Sequence, residues 1–307
     1  MILTWSDWRG ARLITDRIAK IVAEDVELLI SYFALSGDVY PLGPVEISPF
    51  PFKDRVEAAA RAGFKGFGLH YEDTMATQSK IGFAEMKRIL KANGMKYLEI
   101  EFLLNWYRND EKRKESDKFR RQLFDVAAEL GLRDIKIGPG FHEQTADVPL
   151  MAAEFAKLCQ EASVYGADIV LEIMPWSNVR TIETGLAIVS EADQPNGGLL
   201  VDIWHLARGG IPFSDIRKVP TRFIKAVEVD DALKAPPVDD LWEDTIHHRE
   251  LCGEGELDVP AFLREIRAAG YKGVYGTEIL SARHRKLGLD EMAKRVFDST
   301  MAQFAKL

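Results

Sequence analysis

Cysteine is scarce in this chain: Cys159 and Cys252 are the two thiols among 307 residues. They lack C-x-x-C spacing, which excludes a disulfide framework and fits a reducing compartment; Cys159, inside a helical pattern, reads as core packing. No apolar run is long enough to cross a bilayer, and residues around Trp5, Asp7 and Trp8 have neither part of a secretory leader. A cytoplasmic protein with no membrane partner is expected. Positive charge is also short. Lys and Arg number 40 against 48 Asp and Glu, leaving a net charge of −8, so affinity for nucleic-acid phosphates is not expected. The one Lys- and Arg-rich stretch, 111–121, is mixed with acids and reads as a solvated helix face. An open dinucleotide-binding sheet would offer G-x-G-x-x-G after its first strand. None occurs there, and Gly253-Glu254-Gly255 lacks the third glycine.

What is present is one grammar repeated. Apolar, β-branched runs at 26–33, 66–71, 96–103, 134–137, 168–174, 199–204, 223–229 and 273–280 predict eight strands. Helical patterns lie at 52–62, 81–92, 116–130, 150–165, 181–192, 259–269 and 289–304. Five of them stop at a glycine suited to the left-handed turn that ends a helix: Gly63, Gly94, Gly131, Gly166 and Gly270. Asp258, followed by Val259-Pro260, is a strong helix start. Strands alternating with helices imply a parallel sheet, and eight such units without a linker-like break predict a (β/α)8 TIM barrel. The expected organisation is a single α/β domain over residues 26–307. Residues 1–25 form an extension packed on the barrel or on a partner. The loop at 37–51, with four prolines, is long for its position.

Chemistry is expected where the strands run out. Strand five ends in Glu172, six in Asp202, seven in Glu228 and eight in Glu278. A carboxylate inside an apolar strand is costly unless it is paired or coordinated. Four at the same end of consecutive strands predict one shared divalent cation. All-oxygen donors suit Mn²⁺ first, or Mg²⁺, ahead of Co²⁺ or the His- and Cys-preferring Zn²⁺. Asp202-x-x-His205 places a histidine beside that site, for substrate contact or proton shuttling if it is more than a loop residue. His70 and His142 follow strands two and four and would face the same mouth. Arg249, in the loop at 235–257, is either a clamp for a hydroxyl, carboxylate or phosphate, or a solvated charge. Trp106, Trp176 and Trp204 supply apolar faces for a sugar ring unless they are core.

The segments V-L-E-I-M-P, V-D-I-W-H, R-E-L-C-G-E-G-E-L-D-V-P-A-F-L and G-Y-K-G-V-Y-G-T-E-I resemble the xylose-isomerase-like sugar phosphate isomerase/epimerase superfamily, over residues 26–305. The resemblance implies one divalent metal held by a Glu-Asp-His-Glu set, with Glu172 and Glu278 as acid and base and Asp202 as a further ligand. The strand-seven ligand of such enzymes is commonly His; here Glu228 stands in that place, with Asp230 as the fallback. The implied reaction is isomerisation or epimerisation of a sugar or keto-sugar, by proton removal next to a carbonyl and an enediolate. A relative with a different outcome, the large subunit of C-glycoside deglycosidases, would eliminate the aglycone of a 3-keto-glycoside with a small partner subunit, and His142 would be its base. A homo-oligomer or a complex with a small second subunit is therefore expected. Endonuclease-IV-type phosphodiesterases belong to the same superfamily but use many histidines, and this chain has six. A non-catalytic sugar-binding barrel is the remaining reading.

Overall fold

The computed structural model describes residues 26–307; the N-terminal extension lies outside the described residues. Eight parallel strands close into a barrel in sequence order: β1 (Leu28–Ile30), β2 (Gly66–His70), β3 (Tyr97–Leu103), β4 (Asp134–Ile137), β5 (Asp168–Glu172), β6 (Gly197–Asp202), β7 (Ile224–Val229) and β8 (Tyr275–Thr277). Closure is made by β1 against β8, with Leu28 beside Tyr275 and Ile30 beside Thr277. The expected TIM barrel is the observed one.

Helices α1 (Phe52–Ala62), α2 (Tyr71–Ala92), α3 (Glu111–Leu130), α4 (Val148–Ser163) and α5 (Ile182–Ala192) follow the first strands. The second half adds α6 (Ile203–Arg208), α7 (Leu241–His247), α8 (Val259–Ala268) and α9 (Leu289–Phe304). Helix α4 shows why these segments are helical. Asp147 accepts from the Leu150 amide and Pro149 sits in the first turn, which supplies the cap and a preset φ. Met151, Ala152, Phe155, Leu158, Cys159 and Ala162 then bury one stripe at helical spacing. Each large side chain so buried contributes roughly 1.5–3 kcal/mol. Cys159 is thus a core residue. No described helix is long and apolar enough to cross a membrane.

Several boundaries differ from the sequence pattern, each for a local reason. The first strand ends at Ile30, because Tyr32–Ala34 turns as a 3-10 segment and the Tyr32 hydroxyl donates to the Glu46 carbonyl at 2.7 Å. Helix α2 begins ten residues before the expected 81, broken only at Gly82 with φ 75° and ψ 155°; without a Cβ that backbone is unstrained. Helix α3 starts at Glu111, because the Asp110 side chain accepts from the Lys112 amide. Helix α7 was not visible in the pattern at all. Its cap is Asp240, accepting from the Trp242 amide at 2.8 Å.

Candidate active site

Side chains alternate along a strand, so residues two apart share the barrel interior. Val170, Leu200 and Ala226 from β5, β6 and β7 pack together as a dry floor. Two residues further along the same strands come Glu172, Asp202 and Glu228. Glu99 and Glu101 on β3, Asp230 after β7 and Glu278 after β8 join them, all buried. Gly276 leaves the space: a Cβ there would lie 3.0 Å from Glu228 Cγ.

Two buried cations partition this acidic interior. Lys136, on β4, reaches Glu99 Oε1 at 3.0 Å, Glu101 Oε2 at 3.6 Å and Glu278 Oε1 at 3.7 Å, and also bonds Glu228 Oε1. Ser31 donates to that same Glu228 oxygen at 3.0 Å. Arg249 donates to Asp202 Oδ2 at 2.7 Å and to Asp230, and its other amino group lies 3.1 Å from Glu278 Oε2. Its guanidinium also sits 5.1 Å from the Trp204 ring centre. Asp202 has a second task. Its Oδ1 accepts from the Trp204 and His205 amides, at 2.6 and 3.2 Å, which caps α6 and presents His205 so that its Nε2 lies 3.0 Å from Glu172 Oε1.

Burial and pairing divide the acids. Burial opposes the charged form of Asp202, yet Arg249 and His205 hold its carboxyl below the usual range. Burial drives Glu228 well above it, with Glu278 adding repulsion and Lys136 only partly offsetting. Asp230 and Glu278 are also pushed up by burial, and Glu101 to about 8. Burial works against the Lys136 ammonium, but Glu228 and Glu99 more than compensate and keep it charged.

The donor set suits a hard cation. One oxygen each from Glu172, Asp202, Glu228 and Glu278 lies within 4.8 Å of the others, and Glu172, Asp202 and His205 form a second such group. Glu228 Oε2 is buried without a hydrogen-bond partner. Carboxylates outnumber Lys136 and Arg249, so a divalent ion would offset charge that otherwise must be protonated away.

Above the acids opens a cavity of about 390 Å³, within the roughly 300–1,000 Å³ of small-molecule sites. Glu172, Glu278, His205, Arg249, His70 and Trp176 line it. Burial takes the His70 imidazole down to about 4. Three of the expected residues are not brought there, and Trp204 is one of them, sealed in the core. His142 is exposed at φ 60°: the bridge between Phe141 and Ser177 leaves Phe141 on the cavity and turns the next residue to solvent. Trp106 is buried, its Nε1 donating to the Gly138 carbonyl at 2.7 Å, and does not line the cavity. Arg249 is no solvated loop charge; short bridges 231–250 and 248–281 hold its segment against the barrel. Sequence reasoning missed Lys136, Glu99, Glu101, Phe141 and Trp242. The first three had a signal: charged residues at period two inside apolar strands, in Y-L-E-I-E-F-L and D-I-K-I.

Fold and site together define a TIM-barrel protein with a buried acidic centre under an open mouth at the C-terminal ends of its strands, the catalytic face of such barrels. The chain belongs to the xylose isomerase-like TIM barrel family, whose model matches residues 56–298. It is 27% identical over 233 residues to a 3-dehydroshikimate dehydratase of Pseudomonas aeruginosa, covering 74% of this chain but 36% of that protein. It is 24% identical over 263 residues to an inosose isomerase of Bacillus velezensis, covering 83% of this chain and 92% of the relative. Among solved structures, one described as the IOLI protein with a binding zinc atom superposes with a TM-score of 0.80 at 20% identity, covering 92% of this chain and 99% of that one. The chain spans about a third of the dehydratase. Both curated relatives are enzymes.

Proposed function

We propose that this protein is a divalent-metal-dependent isomerase or epimerase that moves a proton next to the carbonyl of a small sugar-like molecule. The observation that carries the reading is the convergence of Glu172, Asp202, Glu228 and Glu278 within 4.8 Å beneath a cavity that Glu172 and Glu278 line. Those four residues would hold the ion, with Mn²⁺ the first choice for an all-oxygen set. When bound, the ion supplies positive charge that polarises a carbonyl.

The chain's own groups supply the rest. The His205 contact at Oε1 fixes the orientation of Glu172, which would both hold the ion and remove the α-proton. Arg249 and Lys136 flank Glu278 and fix it to return a proton, on the opposite face for epimerisation or at the neighbouring carbon for isomerisation. Trp176, 5.2 Å from the His205 ring, shields the pair from water on one side. A second reading shares the first half of this chemistry: once the α-proton is gone, loss of a β-substituent makes the enzyme a lyase. The dehydratase among the relatives favours it. In this reading His205 replaces His142 as the histidine at the reacting carbon, and a small second subunit is the expected partner.

The test is metal content of protein purified without chelator, together with solvent-deuterium incorporation next to the carbonyl of keto-sugars. About one divalent ion per chain, and exchange that Glu172→Gln abolishes, is the expected result. Protein that takes up no ion and catalyses no exchange would sink the proposal. Product analysis then separates isomerase from lyase.

A further inference from the structure

The floor of the cavity is charged, but its walls are aromatic. Phe141, Trp176 and Trp242 meet ring to ring, with centroids 6.2 to 6.3 Å apart. From the β2–β3 side come Phe102, Tyr71 and Phe119, the last two edge to face at 4.9 Å. All six line the cavity and all six are only half-buried, whereas Phe64, Phe67 and Phe155 are sealed in the core. Rings left open around one hollow are apolar surface awaiting a partner, because covering them is favourable.

The charge of the lining narrows that partner. Glu46, Glu72, Glu101, Glu172 and Glu278 face the cavity. Among the described residues the one lining side chain with a permanent positive charge is Arg249, and Asp202, Asp230 and Glu278 already engage it. Apart from the proposed ion, which the carbonyl end of the ligand would take, a phosphate or carboxylate would meet repulsion with no free protein cation to receive it. A neutral molecule with hydroxyls at one end and a flat apolar group at the other meets neither difficulty.

We infer that the ligand is an uncharged, polyhydroxylated carbonyl compound bearing an aromatic ring, the ring held by Phe141, Trp176 and Trp242 and the hydroxylated end lying toward Glu172 and Glu278. The placement of that hydroxylated end rests on the proton-transfer reading above; the preference for a ring rests on the walls alone. Trp242 and Phe141 thereby become specificity-determining residues, and phosphorylated sugars are excluded as ligands.

Calorimetric binding to the full chain tests this with matched pairs, the methyl and phenyl β-glycosides of glucose, galactose and xylose, and with glucose 6-phosphate. At least one phenyl glycoside should bind at least about tenfold tighter than its methyl partner. That advantage should shrink to about threefold or less in Trp242→Ala, with Phe141→Leu as the second variant should the first fail to fold. Equal binding within every pair, no binding by any of them, tightest binding by the phosphate, or an advantage unchanged in the folded variants would each overturn the inference. Glu172→Gln keeps the two readings apart. It should abolish proton exchange and keep the phenyl advantage, so either can fail without the other.

Discussion

Replacing Lys136 with Met tests whether the barrel interior is held together by charge pairing. The ammonium is 1% exposed and lies 3.0 Å from Glu99 Oε1, with Glu228, Glu101 and Glu278 around it. At an effective dielectric of about 20, one such pair is worth about 5 kcal/mol of Coulomb attraction, much of it cancelled by desolvation. Removing the cation leaves the desolvated acids without compensation, and breaking a buried pair in this way costs about 3–5 kcal/mol. In a chain of this size the apparent Tm should fall by on the order of 10 °C. The loss depends on pH. In Lys136→Met the buried carboxyls must bind protons that they release on unfolding, so the variant loses stability as pH rises and its deficit is larger at pH 8 than at pH 6. Urea unfolding and differential scanning fluorimetry at both pH values, with EDTA present, measure it. A variant within about 1 kcal/mol of the parent at pH 8 would refute the assignment of Lys136 as the counter-charge of this centre.

His284 offers a second, independent pH test. It is buried, with its Nε2 3.1 Å from the Ala34 carbonyl, and burial lowers its imidazole to about 4. An unfolded histidine titrates near 6.5, so the protein loses stability as pH falls from about 6.5 to 4, by at most about 3 kcal/mol from this residue. His284→Gln should flatten that part of the stability curve relative to the parent; curves that run parallel would contradict the assignment. Gly68→Ala probes the close approach of β2 to the chain after β1. A Cβ there would lie 2.5 Å from the Tyr32 amide nitrogen and 2.8 Å from Ser31 Cα, backbone atoms that cannot swing aside. A loss of more than about 3 kcal/mol, or insoluble protein, is expected, and a soluble variant with parental Tm would count against the register of these strands.

Much of the architecture was written locally. Strand and helix periods are properties of a few consecutive residues, as are helix stops such as Gly63, at φ 119°, and Gly131, at φ 78°. Asp258 was recognisable as a cap before its bond to the Ala261 amide was seen. Strand-end carboxylates were legible for the same reason, since period two and a parallel barrel put Glu172, Asp202 and Glu228 at one end of one interior. The α7 cap at Asp240 was equally local, but it lay in a loop whose composition gave no helical stripe to draw attention to it.

What sequence could not decide is who compensates whom. Lys136 bonds Glu228 across 92 positions and Arg249 bonds Asp202 across 47; no spacing rule joins such partners. Their pairing is a matter of where barrel closure sets the strands and where the loop after β7 folds back. The same holds for His142, turned to solvent while its neighbour Phe141 faces Trp176 and Trp242. A local pattern fixes which residues lie on the inward face of an element. Contact energies and dielectric depend on distances between elements, and those exist only once the barrel has closed.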